Sequence, residues 1–397
     1  MAAARRHGVS VMFTLSGGHV FPLYDAVVKD DAGPPMRLVD VRHEQTAVFA
    51  AEATARLTRT PGLAVVTAGP GVTNSVSAVT TAWFNGAPVV VLAGRAPDYR
   101  WGAGSLQEMD HPPLLAPVTK RAWTEHETAR LAGSVDEAFR LAASPHRGPV
   151  FLDISLEALY GQAEADLPAA GPQPKVPAPD GGEVDRVAAL LRTARHPVLV
   201  LGSDVWLGDA EPIHPARVYA ELLRVLEETA VVIGDGGDFV SFAGKYIEPG
   251  RPGGWLDPGP YGCLGTGLGY AIAARLARPS AQVVLLLGDG AAGFSLMDAD
   301  TLVRHRLPVV IVCGNNGAWG LEKHPMRAVY GYDVLADLQP GCRYDEVVRA
   351  LGGAGELVTS PAEIAPALRR ALAANVPYLV NVVTDPEIAY PRSTTGV

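Results

Sequence analysis

The chain has 397 residues, of which 48% are hydrophobic, and this length and composition predict a globular protein of two or three domains. Its formal net charge of -9 at pH 7 is spread along the chain without a basic stripe, which argues against a nucleic-acid partner. Three cysteines without metal-binding spacing, no apolar run of about 18 residues and no signal-peptide-like start predict a cytoplasmic protein without a membrane partner.

Short apolar segments alternate with longer segments of helical composition along the chain. This alternation predicts an α/β fold with two doubly wound parallel sheets, each covered by helices on both faces. Helices are predicted at residues 44–57, 184–194 and 215–226. Strands are predicted at residues 64–67, 89–92, 150–152, 197–201, 230–233, 283–287, 309–313 and 378–383.

A change of composition divides the chain. Residues 161–182 are rich in Pro, Ala, Gly and Asp, which is typical of a linker. We therefore expect a first domain over residues 1–160, a joining segment over residues 161–210 and a second domain over residues 211–397.

Two polar motifs follow neighbouring apolar segments in the second domain. Gly288-Asp289-Gly290 follows the predicted strand 283–287, and Asn316 lies 27 residues after Asp289, just beyond the predicted strand 309–313. Two parallel strands would place both side chains at their carboxyl ends, where open α/β sheets bind ligands. The first motif alone is also typical of an ordinary turn, but its pairing with Asn316 favours a binding site.

The residue types at this edge suit a magnesium-bound diphosphate. Oxygen atoms of Asp289, Asn316 and the backbone carbonyl of Ala318 are suitable ligands for a hard divalent cation that also binds phosphate. The two glycines of the first motif let the backbone approach the phosphates. A helix predicted to begin near Ala291 would offer its free amide groups to them.

The combination of these motifs resembles the cofactor signature of thiamine diphosphate enzymes. Residues 213–390 resemble the diphosphate-binding domain of that family. Four segments of the first domain resemble the pyrimidine-binding domain of its acetolactate synthase-like branch. They are Ser16-Gly17-Gly18-His19, Val41-Arg42-His43-Glu44-Gln45, Thr67-Ala68-Gly69-Pro70-Gly71-Val72-Thr73-Asn74 and Leu106-Gln107-Glu108.

The resemblance implies roles for four residues of the first domain. Glu44 matches the glutamate that hydrogen-bonds the aminopyrimidine ring and favours the tautomer that deprotonates the thiazolium carbon. Pro70 and Asn74 match residues near that ring, although helix capping also explains a polar residue at Asn74. Gln107 matches a glutamine that the partner subunit contributes to the substrate entrance of acetolactate synthases.

The resemblance also implies cofactor contacts for four further residues of the second domain. Leu264 matches the bulky apolar residue beneath the bent cofactor, and a core leucine would look the same in the sequence. Gly236, Gly237 and Asp238 match the loop that approaches the diphosphate. Family members often carry a neutral amide or an imidazole where this chain has Asp238.

Five other residues are candidates for contact with a substrate. His19, His43 and His111 are candidates for proton transfer, or are hydrogen-bonded structural groups. Arg95 and Lys323 are candidates for binding a substrate carboxylate, or are surface charges.

The chain departs from full-length family members in the middle domain. Residues 184–202 resemble the start of that domain, and near residues 206–208 the chain passes directly into the last domain. The joining segment 161–210 would therefore combine a linker with a truncated middle-domain remnant. Because the middle domain carries the flavin of acetolactate synthases, we do not expect FAD here.

The function implied is that of a thiamine diphosphate- and Mg2+-dependent decarboxylase or carboligase of 2-keto acids. In this family the cofactor lies between two subunits, so a homodimer or homotetramer is expected. One alternative is a 2-hydroxyacyl-CoA lyase or oxalyl-CoA decarboxylase-like enzyme, suggested by Gly267-Leu-Gly-Tyr-Ala-Ile-Ala-Ala274. Another is an inactive cofactor-binding remnant, suggested by the missing domain.

Overall fold

Two parallel sheets organise the part of the chain that the structure describes. The computed structural model describes residues 1–29, 35–144, 146–164 and 213–390, and within them it contains two six-stranded sheets with flanking helices. The predicted α/β fold is confirmed. The predicted helix 184–194, the predicted strand 197–201 and most of the joining segment lie outside the described residues.

The first unit contains the first sheet and its helices. The strand order is β2-β1-β3-β4-β6-β5, and all neighbouring strands are parallel. The strands are β1 Val11–Thr14, β2 Arg37–Asp40, β3 Gly62–Val66, β4 Val89–Gly94, β5 Ala122–Glu125 and β6 Val150–Ile154. The α-helices are Ala2–Arg6, Phe21–Lys29, Glu44–Thr58, Pro70–Thr73, Val76–Phe84, Pro112–Leu115, Leu131–Ala143 and Leu156–Tyr160.

The second unit contains the second sheet and its helices. The strand order is β11-β12-β10-β9-β7-β8, again with parallel neighbours. The strands are β7 Val231–Asp235, β8 Trp255–Leu256, β9 Val283–Gly288, β10 Val310–Asn315, β11 Ala354–Val358 and β12 Tyr378–Val383. The α-helices are Pro215–Leu223, Asp238–Tyr246, Gly267–Ala277, Asp289–Ser295, Ala299–Arg304, Gly320–Tyr330, Tyr344–Ala350 and Pro361–Ala373.

No helix among the described residues is both long and apolar enough to cross a membrane. Short 3-10 helices complete the described structure. The 3-10 helices are Gly18–Val20, Asp98–Arg100, Ala116–Val118, Thr128–Arg130, Gly259–Tyr261 and Leu296–Asp298. The helix predicted at residues 215–226 ends earlier, at Leu223. Five strands were not predicted from apolar runs, namely β1, β2, β5, β8 and β11.

The two units meet along a pair of helices, which we call the seam. It consists of Glu44–Thr58 from the first unit and Gly267–Ala277 from the second. A Cβ atom at Gly269 would lie 3.0 Å from both Phe49 Cβ and the Thr46 carbonyl oxygen, so the helices approach closely because residue 269 is glycine. The Phe49 and Tyr270 rings pack edge to face, with centroids 6.0 Å apart.

A buried carboxyl group lies within the seam. Glu52 is 0% exposed and accepts hydrogen bonds from the Tyr270 hydroxyl at 2.9 Å and Asn85 Nδ2 at 2.7 Å. Burial raises the pKa of Glu52 to about 7, although the hydrogen bonds and the nearby Arg56 lower it. The seam therefore contains a titratable group as well as apolar contacts.

Polar contacts at one end of the seam hold the start of helix Glu44–Thr58. Asp298 of the second unit accepts hydrogen bonds from the Arg42 amide and the Thr46 hydroxyl, both at 2.7 Å. Arg304 donates from Nη1 to both carboxylate oxygens of Asp40, each at 2.7 Å. These contacts fix the position of the helix start relative to the second unit.

Candidate functional site

Two motif residues lie at the carboxyl edge of the second sheet. Strands β9 and β10 are adjacent and parallel, with Gly288 opposite Gly314. Asp289 directly follows β9 and begins helix Asp289–Ser295, while Asn316 directly follows β10. Both side chains line the same cavity.

The Asp289 carboxyl is buried and held by backbone amides. It is 4% exposed and accepts hydrogen bonds from the Gly290 amide at 2.9 Å and the Gly317 amide at 2.6 Å. Burial raises its pKa to about 6, against the lowering effect of these amides. Asn316 Oδ1 accepts from the Ala318 amide at 3.1 Å. Since ionisation of the buried carboxyl is costly, a bound cation would stabilise its charged form.

A cavity of about 270 Å³ lies at this edge. Every residue that lines it belongs to the second unit. It includes all the residues of that unit that the sequence indicates for cofactor or metal contact, namely Gly236, Gly237, Asp238, Leu264, Gly288, Asp289, Gly290, Ala291, Asn316 and Ala318. Within the described residues, no group of three or more His, Cys, Asp or Glu side chains forms a metal cluster, so a cation here would depend on amide, carbonyl or ligand oxygens.

Close backbone packing shapes this cavity. A Cβ atom at Gly290 would lie 2.4 Å from the Trp319 ring, and one at Gly236 would lie 3.0 Å from the Gly288 amide nitrogen. Gly236 also has φ +139°, a conformation that side chains disfavour. Trp319 was missed in the sequence because one aromatic residue in a loop gives no pattern.

A buried aspartate holds the loop that carries Leu264. Asp235, the last residue of β7, is 0% exposed and accepts hydrogen bonds from the Gly265 amide at 3.0 Å and the Gly267 amide at 2.8 Å. Burial raises its pKa to about 7, although these amides favour the charged form. Asp235 therefore positions the loop beneath the cavity, a role without a sequence motif.

Asp238 lines the cavity but is also turned toward the C-terminal segment. Its Oδ1 accepts a hydrogen bond from the Tyr390 amide at 3.0 Å, and the residue is 7% exposed. One carboxylate oxygen of Asp238 is thus engaged by the backbone of the C-terminal segment.

The predicted site residues of the first unit form a second group. Glu44 is 7% exposed and accepts a hydrogen bond from Asn74 Nδ2 at 3.0 Å. Pro70 begins the short helix Pro70–Thr73, and Gln107 adopts φ 60° and packs against Gly69. None of these residues lines the 270 Å³ cavity.

The two groups approach each other through the seam. Gln45, in the first turn of helix Glu44–Thr58, has its Nε2 only 3.0 Å from where a Cβ of Gly265 would lie. The helix that begins at Glu44 thus contacts the loop of Leu264 within one chain. The side chain of Glu44 itself turns to Asn74.

A separate groove of about 560 Å³ opens at the carboxyl edge of the first sheet. Its lining is largely apolar, with one carboxylate and one imidazole; the residues are Gly18, His19, Tyr99, Leu106, Gln107, Leu156, Glu157 and Tyr160. Burial lowers the pKa of His19, and the nearby His111 lowers it further. His19 Nδ1 lies 3.2 Å from the Thr67 hydroxyl.

The other candidate residues have structural partners. His43 caps helix Glu44–Thr58 by accepting a hydrogen bond from the Gln45 amide at 3.2 Å. His111 is 0% exposed, and Arg95 is 7% exposed and paired with Asp110 and Asp153. Lys323 is 7% exposed and paired with Asp337 at 2.9 Å.

Comparisons with known proteins match both units. Residues 1–114 match the family model "Thiamine pyrophosphate enzyme, N-terminal TPP binding domain", and residues 231–382 match the corresponding C-terminal TPP binding domain. The chain is 41% identical to the acetolactate synthase large subunit IlvG of Mycobacterium tuberculosis, covering 97% of this chain and 95% of the relative. The 2-hydroxyacyl-CoA lyase 2 of Xenopus laevis is 26% identical over 89% of this chain and 84% of its own length.

The alignment with the mycobacterial relative spans 522 positions, more than the 397 residues of this chain. The relative therefore carries internal positions that this chain lacks. Among solved structures, the thiamine diphosphate-dependent 4-hydroxybenzoylformate decarboxylase of Rhodococcus jostii has the same fold, with a TM-score of 0.79 and 18% identity. That comparison covers 97% of this chain and 98% of the solved one.

Proposed function

The chain belongs to the thiamine pyrophosphate enzyme family, and from this premise we propose that it is a thiamine diphosphate- and Mg2+-dependent 2-keto acid decarboxylase or carboligase of the acetolactate synthase type. Residues 1–160 would bind the pyrimidine end of the cofactor and residues 211–397 its diphosphate, in a cytoplasmic enzyme without flavin. The observation that carries the proposal is the convergence of Asp289, Asn316 and the glycine-rich loops on one cavity.

The residues present fit a magnesium diphosphate. Asp289 is buried, has backbone amide partners and makes no ion pair with a cationic side chain of the described residues, so a divalent cation would compensate its charge. Asp289, Asn316 and the Ala318 carbonyl are the groups that would hold it. The amides at the start of helix Asp289–Ser295 would bind phosphate oxygens.

Thiamine diphosphate, when bound, supplies a nucleophilic carbon and an electron sink for decarboxylation of a 2-keto acid. The chain's own residues bind, orient and exchange protons. Leu264, on a loop held by Asp235, would support the cofactor from below. Glu44 would hold a proton at its carboxyl group for exchange with the aminopyrimidine ring, and Asn74 orients that carboxyl group.

Calorimetric titration with thiamine diphosphate, with and without Mg2+, tests this proposal. We expect Mg2+-dependent binding by the natural protein and its loss in Asp289→Ala. Asp300→Ala is the matched control, because Asp300 also follows β9 but pairs with Arg304 instead of lining the cavity. Release of carbon dioxide from pyruvate and other 2-keto acids would then be measured. Failure of the natural protein to bind the cofactor would contradict the proposal and favour an inactive remnant.

We also propose that two chains combine to form each site, since Glu44 lies outside the lining of the cavity that contains Asp289. Mixing inactive Glu44→Gln and Asp289→Ala chains tests this directly. In a twofold dimer, random mixing would restore about a quarter of the natural activity, because half of the dimers would carry one intact site. No restoration, with exchange of subunits verified, would mean that both residues serve one site within a chain.

The second candidate is cleavage of an acyl-CoA substrate, and the likeness to 2-hydroxyacyl-CoA lyase 2 supports it. The run at residues 267–274 gives it little further support, because helix packing against Phe49 accounts for Gly269. Cleavage of oxalyl-CoA or a 2-hydroxyacyl-CoA, measured beside 2-keto acid turnover, distinguishes the two candidates.

A further inference from the structure

A buried histidine is hydrogen-bonded to the turn that precedes Pro70. His111 is 0% exposed, its Nε2 lies 2.9 Å from the Gly69 amide nitrogen, and its Nδ1 lies 2.9 Å from Asp153 Oδ2. A backbone amide can only donate, so Nε2 must be the acceptor. The ring proton therefore resides on Nδ1, which donates to the Asp153 carboxylate.

Asp153 is itself fixed in place. It lies on β6 and is 0% exposed, and its Oδ2 also accepts from Arg95 Nη1 at 3.1 Å. The Arg95 guanidinium lies 3.8 Å above the Trp101 ring. Within the described residues, Asp153 Oδ1 has no hydrogen-bond partner. All polar contacts of the carboxyl group thus converge on the oxygen that faces His111.

The turn that His111 holds has an unusual backbone conformation. Gly69 has φ 56° and ψ −110°, and its carbonyl oxygen accepts hydrogen bonds from the Val72 and Thr73 amides, each at 3.0 Å. A Cβ at position 69 would lie 2.9 Å from Gln107 Cβ. The amide of Gly69 is held by His111 and its carbonyl by helix Pro70–Thr73, so both backbone polar groups of the residue before this helix have partners.

The network continues to Glu44. The Asn74 amide donates to the Pro70 carbonyl at 2.9 Å, and the Asn74 side chain donates to Glu44 Oε2 at 3.0 Å. A continuous path of hydrogen bonds and one short helix therefore connects Asp153 with the Glu44 carboxyl group.

We propose that His111 is a positioning residue: in the Nδ1-protonated form that Asp153 imposes, it fixes the Gly69-Pro70 turn and, through Asn74, the carboxyl group of Glu44. This positioning role takes the place of the proton-transfer role considered for His111 from the sequence, because Gly69 and Asp153 already bind its two ring nitrogens. The link to catalysis depends on the function proposed above, whereas the link to Gly69 does not.

Two amide variants separate the two hydrogen bonds of the imidazole. In His111→Gln the longer side chain can place its oxygen near the position of Nε2 and still accept from Gly69. In His111→Asn the shorter side chain can donate to Asp153 but does not reach Gly69. We expect His111→Gln to bind thiamine diphosphate nearly as well as the natural protein, and His111→Asn to bind roughly tenfold more weakly and to turn over more slowly.

The order of the two variants in cofactor affinity distinguishes positioning of the Gly69-Pro70 turn from a purely structural role of His111. If His111 served only as a partner for Asp153, His111→Asn would be the better tolerated variant, and that order would overturn the proposal. Equal melting temperatures with unequal cofactor affinity would support it. Arg95→Lys is the control, since it perturbs the other partner of Asp153 and should leave the difference between the amide variants unchanged.

A cofactor-free measurement keeps the inference independent of activity and of variant folding. In protein labelled with 15N-histidine, His111 should show a protonated Nδ1 and an unprotonated Nε2, and the Gly69 amide should exchange slowly with deuterated water. A protonated Nε2, or rapid exchange at Gly69, would overturn the proposal. Absence of cofactor binding together with the expected spectrum would contradict the proposed function alone.

Discussion

The two units have the same strand order but different chemistry at their carboxyl edges. When the strands of each unit are counted from one, both sheets have the order 2-1-3-4-6-5. Gly69-Pro70-Gly71 lies shortly beyond the third strand of the first unit, and Gly288-Asp289-Gly290 begins at the last residue of the third strand of the second. Corresponding strands of the two sheets thus lead into one loop centred on a proline and one centred on a carboxylate.

The units also differ in how they hold these loops. In the first unit the imidazole of His111, which lies outside the loop, accepts a hydrogen bond from the Gly69 amide and donates one to Asp153. In the second unit buried carboxyl groups accept directly from backbone amides, and burial raises the pKa of Asp235 to about 7 and that of Asp289 to about 6. The first arrangement orients the Gly69-Pro70 turn. In the second, a cation bound as proposed would stabilise the charged form of Asp289.

The largest expected effect is a loss of turnover without a matching loss of cofactor binding. Glu44→Gln removes the proposed proton-exchanging carboxyl, so we expect kcat to fall about 10²- to 10⁴-fold with cofactor affinity largely retained. Asp289→Ala should instead lose Mg2+-dependent binding. Glu137→Gln, on the exposed surface of the first unit, is the control. Steady-state kinetics and calorimetry would refute the division of roles if Glu44→Gln lost binding while its kcat was unchanged.

A next test substitutes the glycine that follows the central residue of each loop. In Gly290→Ala the new Cβ would lie 2.4 Å from the Trp319 ring, so we expect a loss of about 1–3 kcal/mol in the free energy of unfolding. In Gly71→Ala the nearest atom is the terminal Cγ2 of Thr67 at 2.9 Å, and the loss should be smaller. Urea denaturation measures both. Adding Trp319→Leu should restore stability to Gly290→Ala only; equal losses in both loops would contradict this account.

The pH should affect both the stability of the second unit and its affinity for Mg2+. The pKa of Asp289 is raised, so in the cofactor-free protein its contribution to stability is present at low pH and is lost as the pH rises through about 6. Mg2+ requires the carboxylate, so its affinity should have the opposite dependence and fall about tenfold per pH unit below about 6. Calorimetry across this range would show proton release on Mg2+ binding. An affinity that is constant down to about pH 5 would contradict the assignment.

The smallest expected effect concerns the seam that joins the units. Tyr270→Phe keeps the aromatic contact with Phe49 but removes a hydrogen bond to the buried Glu52, so we expect a loss of about 1 kcal/mol. Tyr261→Phe, at a partly exposed tyrosine of the second unit, is the control. Thermal denaturation of both variants would show whether the carboxyl in the seam depends on this hydroxyl.

Apolar runs predicted the inner strands and missed the outer ones. β2, β5, β8 and β11 occupy the edges of the two sheets, and β1 lies beside an edge. Inner parallel strands are buried on both faces and read as continuous apolar runs. Edge strands such as β11, which is buried only at Val358, and the two-residue β8 lack that pattern. The strand β1 was also not predicted, although three of its four residues are buried.

The candidate site was predictable where its signal is local. Gly288, Asp289 and Asn316 belong to short motifs at strand ends, and the structure brings them to one cavity. The positions of His111 and Asp235 depend on hydrogen bonds to residues 42 and 30 positions away. No spacing in the sequence reveals such pairs, because the sheet brings together segments that are distant along the chain.

The close approach at Gly269 has a mechanical consequence. Sliding one seam helix along the other would drive a side chain into the Thr46 carbonyl or the Phe49 side chain, so the seam resists shear. We expect the described parts of the two units to move as one rigid body. Hinge motion between the units would then contribute little to turnover. Any opening and closing would occur in the loops at the carboxyl edges, including the exposed stretch around Tyr332 and Leu335.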